Sequence, residues 1–395
     1  MKILVVAHES DFTGGANRSL YTVLKGLKST YNVECEVLIP KRRGALCKKL
    51  EELEISYFSI PYFGAVSNIR YDGKDILRRA KVVFGYHLEK FGSIYLFHKL
   101  KAKKYDIVYT NTRLPIIGAL LAKRLNLPHV IHVREFLAEE PLLGKWGYEE
   151  VYKYSNRIIL ISEALKTRYE EYVPSDKLVA IHNGIDSPVN LQPAFKQSRD
   201  DETFHILITG RVVPDKCQLD AIKAIEALIE ENEKNIHLHI AGSSPKRSYM
   251  DWYTKEIQDY VSVKNLHPYI TFHGEVDDMI RLREKMNIEL MCAIRETFGR
   301  VTVEGMRSGL FLIGSDTGGT VEIITNYETG LLYEQGNIKN LKEKIKLVIS
   351  NTELYKQIAS NGYYYSQLNF TPEKNVKEIY HVFETLLNEY KNIEK

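Results

Sequence analysis

The chain has 395 residues, 44% of them hydrophobic, and a formal net charge of only +3. That is enough apolar material for two or three globular domains, and too small a charge excess for a dedicated nucleic-acid binder. The four cysteines, Cys35, Cys47, Cys217 and Cys292, lie far apart with no C-x-x-C spacing, which argues against a disulfide framework and against a cysteine zinc site and fits a reducing cytoplasm.

The opening residues, MKILVVAHESDFTGG, hold an apolar run shorter than the core of a secretory signal. No stretch approaches the about 18 uninterrupted apolar residues of a spanning helix, so a cytoplasmic protein is expected. Short apolar runs then alternate with longer amphipathic segments, the pattern of βαβ units and a parallel sheet. In the first half strands are expected at 2–7, 34–39, 57–60, 106–111, 129–133, 157–161 and 178–182. In the second half they are expected at 205–209, 237–241, 270–273, 288–293, 311–315 and 330–333. Between the halves, SPVNLQPAFKQSRDDE is polar, contains proline and has no periodicity, which reads as a linker. The expected organisation is a first α/β domain at 1–187, a linker at 188–203, a second α/β domain at 204–371 and a tail at 372–395. Val376, Ile379, Val382, Phe383 and Leu386 make that tail an amphipathic helix.

Several loops carry chemistry. Gly14 and Gly15 form a turn between the first strand and first helix, where glycine permits close backbone approach and positive φ. Residues 70–104 hold ten Lys or Arg against three acids, interleaved with Phe84, Tyr86, Phe91, Tyr95, Leu96 and Phe97. Such a composition suits docking on an anionic bilayer surface without spanning it. His132, Arg134 and Glu135 lie on or just past a strand, with 132 and 134 on one face by the two-residue period. Gly210 and Arg211 follow the first strand of the second half, and Lys216 comes five positions after Arg211, so that two cations could hold a diphosphate. Asp277 and Asp278 fit a helix start, and no D-x-D pair points to a metal.

The densest signal is ETFGRVTVEGMRSGLFLIGSDTGG, beginning at Glu296. Glu304 follows eight positions later, about seven residues along an expected helix, which separates the two acids by roughly 10 Å. Carboxylates so placed accept hydroxyl hydrogen bonds from two ends of a polyhydroxylated ligand.

The E-x-F-G-x-x-x-x-E pattern with Thr317, Gly318 and Gly319, together with G-R-x-x-x-x-K at Gly210, resembles the donor-binding signature of retaining GT-B glycosyltransferases of the group 1, or family 4, type. Two positions depart: Gly305 and Arg307 stand where that family usually has Ala. The resemblance implies an α/β fold of the GT-B class, two Rossmann-like domains with parallel sheets facing across a cleft, with the C-terminal helix returning to brace the N-terminal domain. It implies that Arg211 and Lys216 hold the diphosphate of a nucleotide sugar, that Glu304 binds ribose and that Glu296 faces donor-sugar hydroxyls. Backbone at Phe298, Gly299 and Thr317 to Gly319 would contact sugar or phosphate, and Gly14 and Gly15 would close over the phosphates. Gly242 and the loop through Val276 fall in the base-binding region. Many relatives carry a histidine six residues after the equivalent of Pro128; here that position is Arg134, with His132 two earlier, so both are candidates for charge stabilisation near the reacting sugar.

The implied reaction is retaining, metal-independent hexosyl transfer, with no cofactor beyond the donor: a UDP-sugar first, a GDP- or ADP-sugar otherwise. The acceptor would be a saccharide, lipid-linked, used in bacterial polysaccharide or glycoconjugate synthesis at the inner membrane face, and no nucleic-acid partner is implied. Rival readings are a sugar-nucleotide epimerase of the same architecture, an exported two-lobed sugar-binding protein and a non-catalytic homologue.

Overall fold

The computed structural model describes residues 1–12, 14–63, 75–136, 152–186, 193–196, 203–244 and 251–393. The basic stretch before residue 75 and most of the segment read as a linker lie outside the described residues. Each predicted strand forms, with ends within two residues of those expected.

The chain divides into two compact units, Met1–Gly184 with Pro372–Lys395, and Ile185–Thr371. In the first, strands β1 (Lys2–Val6), β2 (Glu34–Ile39), β3 (Ser56–Ser59), β4 (Ile107–Asn111), β5 (His129–Val133), β6 (Arg157–Leu160) and β7 (Leu178–Ala180) form a parallel sheet. Their order is β3-β2-β1-β4-β5-β6-β7. Helices α1 (Gly15–Tyr31), α2 (Ala45–Glu52), α3 (Asp75–Leu100), α4 (Ile117–Leu125) and α5 (Glu163–Glu170) connect the strands.

Both faces of this sheet are apolar because both are covered, which is why the strands read as unbroken hydrophobic runs. Ile3 and Val5 pack toward Leu20, Val23, Leu24 and Leu27 of α1. Leu4 and Val6 pack toward Leu96 and Leu100 of α3 and Ile117 and Leu121 of α4. The register of α3 is fixed by a polar contact: the buried carboxylate of Glu89 accepts the backbone N–H groups of Ile116 (2.7 Å) and Ile117 (2.9 Å), two groups at the start of α4 with no partner inside that helix.

In the second unit, β8 (Phe204–Thr209), β9 (Ile236–Ala241), β10 (Ile270–Gly274), β11 (Ile288–Met291), β12 (Phe311–Ser315) and β13 (Leu331–Tyr333) form a parallel sheet in the order β10-β9-β8-β11-β12-β13. Helices α6 (Gln218–Glu230), α7 (Asp251–Val263), α8 (Met279–Arg283), α9 (Arg300–Arg307), α10 (Thr320–Ile323), α11 (Ile338–Ile349) and α12 (Thr352–Asn369) accompany it. Ile206, Ile208, Leu238, Ile240, Leu290 and Ile313 share a core with Ile222 and Ile225 of α6 and Leu341 and Ile345 of α11. Pro193 and Ala194, within the segment read as a linker, are built onto this unit: the Ala194 N–H donates to the Ser308 carbonyl at 2.9 Å.

On the opposite face of β8, β9 and β10 runs a ladder of imidazoles. His205 Nδ1 is hydrogen-bonded to His239 Nε2 at 2.9 Å, and His239 Nδ1 to His273 Nε2 at 2.9 Å. Burial, and then the neighbouring imidazoles, push the His239 pKa down to about 3, so this central ring is uncharged at neutral pH.

The last helix, α13 (Pro372–Ile393), belongs to the first unit. It lays Val376, Ile379, Val382, Phe383 and Leu386 on the β1–α1 side of that unit's core. Burying each large apolar side chain is worth about 1.5–3 kcal/mol. Gly26 of α1 allows the close approach, since a Cβ there would lie 2.7 Å from Val376 Cγ2. The Arg157–Glu389 ion pair (2.6 Å) and the bond from Asn375 Nδ2 to the His182 carbonyl (2.6 Å) tie the helix down further. All four cysteines are buried free thiols. Among the described residues no helix is long and apolar enough to cross a membrane.

Candidate active site

Both sheets reverse direction of winding at one point, between β1 and β4 in the first unit and between β8 and β11 in the second. Ligands of open α/β sheets bind just outside the carboxyl ends of strands at such a point. In the second unit the candidate residues follow the carboxyl ends of β8 to β12. Gly210, Arg211 and Lys216 lie between β8 and α6, Gly242 just past β9 and Val276 just past β10. Glu296, Phe298 and Gly299 lie between β11 and α9, Glu304 on α9, and Thr317, Gly318 and Gly319 between β12 and α10.

Glycine holds these loops together. Gly242 has φ +136°, and a Cβ there would sit 1.8 Å from the Gly210 carbonyl oxygen, so the loops after β8 and β9 touch through bare backbone. Gly318 has φ +56°, and its Cβ would sit 2.4 Å from the Glu296 carbonyl oxygen, while the Gly319 N–H donates to that same oxygen at 2.7 Å. The Gly-Gly pair therefore seats the loop after β12 directly on Glu296. The Phe298 ring is buried edge-on against Phe370, with centroids 5.8 Å apart, which leaves its backbone as the part that faces the loop.

Lys216 ends a short 3-10 turn, Pro214–Lys216, whose backbone is tied to the loop after β11 by the Ile294 N–H donating to the Asp215 carbonyl at 3.0 Å. Its Nζ forms an ion pair with Glu296 Oε2. The cation predicted for a diphosphate and the carboxylate predicted for sugar hydroxyls are thus joined across the switch point. Glu304 is the fifth residue of α9 rather than the seventh, because the helix begins only at Arg300, after Gly299 at φ +103°.

Two arginines and one acid that no motif singled out complete this end of the sheet. Arg283, at the end of α8, contacts Glu304 Oε2 at 3.3 Å and pairs with Glu289 of β11. Arg300 Nη2 lies 3.6 Å from Glu304 Oε1. The available sequence signal was Glu289 itself, an acid inside the apolar strand Ile288–Met291. The two departures from the family pattern also find their reasons. A Cβ at Gly305 would lie 2.4 Å from Glu289 Oε2, so alanine has no room beside this carboxylate. Arg307 is buried, and its Nη2 donates to the Ser366 carbonyl of α12 at 3.1 Å.

In the first unit, Arg134 follows β5 and is nearly buried. Its Nε donates to Asn111 Oδ1 at 2.9 Å and its Nη1 to Asn183 Oδ1 at 2.5 Å. Its Nη2 lies 3.3 Å from His132 Nδ1. Guanidinium carries only donors, so His132 Nδ1 is the acceptor. Tyr109 Oη, 2.7 Å from the same nitrogen, then donates to it, and the ring proton sits on Nε2. Burial, reinforced by Arg134, holds the His132 pKa well below its usual value. His132 is wholly buried, so its contribution is to orient Arg134. Asn111 and Asn183 do the same.

Gly14 and Gly15 open α1, but Gly14 has φ −85°, so positive φ is not what glycine supplies there. A Cβ at Gly14 would meet Glu9 Oε1 at 3.3 Å, a tight fit. The loop before it is gathered by the buried Asn17, whose Nδ2 donates to the carbonyls of Glu9 (3.2 Å) and Asp11 (2.6 Å).

Two doubly wound parallel sheets, each with its polar residues at the switch point, define the GT-B class of fold. The sequence profile "Glycosyltransferase Family 4" matches residues 13–187, and "Glycosyl transferases group 1" matches residues 192–365. The chain is 24% identical over 314 residues to the capsular polysaccharide biosynthesis glycosyltransferase CapM of Staphylococcus aureus, covering 75% of this chain and 80% of that protein. It is 23% identical over 355 residues to a Campylobacter jejuni enzyme, GalNAc-alpha-(1->4)-GalNAc-alpha-(1->3)-diNAcBac-PP-undecaprenol alpha-1,4-N-acetyl-D-galactosaminyltransferase, covering 89% of each. HepE of Anabaena, solved in complex with UDP, superposes with a TM-score of 0.78 at 20% identity, over 98% of this chain and 100% of that one. The chain belongs to the group 1 glycosyltransferases of the GT-B fold.

Proposed function

We propose that the enzyme is a retaining, metal-independent hexosyltransferase that moves a sugar from a nucleotide sugar, a UDP-sugar first, to a hydroxyl of a lipid-linked saccharide. The observation that carries this reading is the Lys216–Glu296 pair at the switch point of the second sheet, with Arg211 in the same loop as Lys216. Arg211 and Lys216 neutralise the departing diphosphate, Glu296 accepts hydrogen bonds from the donor sugar and Glu304 accepts them from ribose. The bond from the anomeric carbon to the diphosphate breaks, a bond to the acceptor oxygen forms on the same face, and the acceptor proton passes to a phosphate oxygen. Catalysis is then positioning and charge stabilisation. Within the first unit, Arg134, held by Asn111, Asn183 and His132, is the candidate for charge stabilisation. HepE binds UDP, and the C. jejuni relative acts on a diphosphoundecaprenol-linked saccharide, which supports the choice of base and of acceptor.

A thermal-shift panel of UDP, GDP and ADP, run in EDTA, tests the donor half. A ligand that binds only the native state stabilises it by mass action, about 2.7 kcal/mol at one hundred times Kd. UDP is expected to raise Tm most; a panel in which no nucleotide moves Tm would defeat the reading.

For the acceptor half, α3 carries the argument. Its inner side is Val82, Tyr86, Glu89, Ser93, Leu96 and Leu100, all buried, which turns Phe84 (62% exposed), Phe91 (68%) and Tyr95 (51%) outward. From residue 80 to 104 the only acid is the buried Glu89, whereas Lys81, Lys90, Lys99, Lys101 and Lys104 are exposed. Aromatics rimmed by uncompensated lysines fit an anionic bilayer. The enzyme is expected to co-float with phosphatidylserine-containing vesicles at low salt and to lose this on Phe84→Ser/Phe91→Ser substitution. Wild-type protein that stays at the bottom of the gradient would rule the surface out.

A further inference from the structure

Glu304 is the most exposed member of an ion cluster: Arg300, on its outer side, is nearly as exposed at 24%, and the two members behind it are buried. Side-chain exposure is 28% for Glu304, 4% for Arg283 and 1% for Glu289. Arg283 Nε donates to Glu289 Oε2 at 2.9 Å and Nη2 to Glu289 Oε1 at 3.2 Å, a two-point grip that fixes the guanidinium plane. The remaining edge of that plane, Nη1, reaches Glu304 Oε2 at 3.3 Å. Gly305, the next residue on α9, leaves the volume that Glu289 Oε2 occupies, since a Cβ would intrude to 2.4 Å. The strand, α8 and α9 are thereby set to hold one oxygen of Glu304 from behind. Arg300 Nη2 lies 3.6 Å from Oε1, an ion-pair distance beyond hydrogen-bond length, and each carboxylate oxygen has two lone pairs, so both oxygens keep acceptor capacity for hydroxyl donors.

We propose that Arg283, itself gripped by Glu289, is a positioning residue that fixes the Glu304 carboxylate for the two ribose hydroxyls of the donor. This rests on the ribose reading of Glu304 given above. A buried pair whose only task was structural could be anywhere in the core; this one spends its third hydrogen-bonding edge on the exposed acid. Holding that acid in one rotamer before the ligand arrives removes part of the ordering cost of binding.

The test is isothermal titration with whichever of UDP, GDP and ADP most stabilises the wild type, and with the 2′,3′-dideoxy analogue of the same nucleotide. The wild type should prefer the ribonucleotide. Arg283→Gln/Glu289→Gln, which neutralises the buried pair without stranding a charge, should weaken the ribonucleotide about tenfold and leave the dideoxy analogue within about twofold. Glu304→Ala should do at least as much, and adding it to the double variant should cost little more, because both remove one interaction. Gly305→Ala, which presses on Glu289 with all charges retained, should shift the same preference and serves if the double variant does not fold. If Glu304→Ala abolishes the ribose preference while the Arg283/Glu289 and Gly305 variants keep it, or lose both ligands equally, Arg283 is structural and the proposal fails. If Glu304→Ala itself keeps the preference, or no nucleotide binds the wild type, it is the ribose reading that fails.

Discussion

Lys216→Ala is expected to lower the rate of sugar transfer by about 10²–10³-fold, the usual cost of removing one preorganised group that meets charge developing in a transition state. The variant should remain folded. The backbone of its turn is held by the Lys216 N–H to the Val213 carbonyl (3.0 Å), the Cys217 N–H to the Pro214 carbonyl (3.0 Å) and the Ile294 N–H to the Asp215 carbonyl (3.0 Å), none of which needs the side chain. The ion pair with Glu296 is part-exposed, so its loss should cost no more than about 1 kcal/mol. Steady-state kinetics beside a melting curve separates the two effects. A variant with near-normal turnover would remove Lys216 from the chemistry, and one that unfolds would make it a structural residue.

Acid should begin to destabilise the enzyme at a pH above the range in which carboxylates titrate. His129 is wholly buried between Thr110 Oγ1 (2.8 Å) and Ser155 Oγ (2.9 Å), and burial pushes its pKa down from 6.5 to about 3. His239 is pushed down equally far within the ladder of the second sheet, and His132 is lowered by burial and by Arg134. Above pH 6.5 these rings are neutral folded or unfolded and contribute no pH dependence. As pH falls from 6.5 toward 3 the unfolded chain takes up protons that the native chain refuses, so stability is lost through that window. For His129 alone the loss is about 2 kcal/mol at pH 5. His239 is partly exposed and adds a smaller amount. Against a native stability of about 5–15 kcal/mol, this is a large fraction. Urea midpoints at pH 7.5 and pH 5.0 measure it. A midpoint that does not fall at pH 5.0 would show that the rings are solvated.

The sheets were legible in the sequence because a parallel strand buried on both faces leaves a run such as Ile3 to Val6 with little else to be. The loops past β9 and β12 were legible for a related reason: Gly242, Gly318 and Gly319 stand where another backbone comes within a Cβ's reach, a demand only glycine meets. What stayed hidden depends on partners far away in the chain. Arg283 and Glu304 are twenty-one positions apart, and nothing local marks their contact. Glycine at 305 looks like a poor helix residue until Glu289 is seen to fill the gap. The grip on Arg134 draws on residues from β4, β5 and the segment after β7, so its spacing forms no motif. The outward turn of the α3 aromatics was invisible for the same reason, because Glu89 sets that rotation through amides of the next helix.

Because α13 completes the first unit, the second unit is an insertion in the first: a continuous segment, Ile185–Thr371, between two pieces of a single core. Domains made on the ribosome generally fold as they emerge, N-terminal first. Here the order is inverted. The first unit's strands are synthesised early, yet the α1 face of its core stays uncovered until Val376 to Leu386 leave the exit tunnel, after the whole second unit. A fragment ending at Gly184 would carry that bare face permanently, whereas one spanning the second unit alone would lack nothing of its own core.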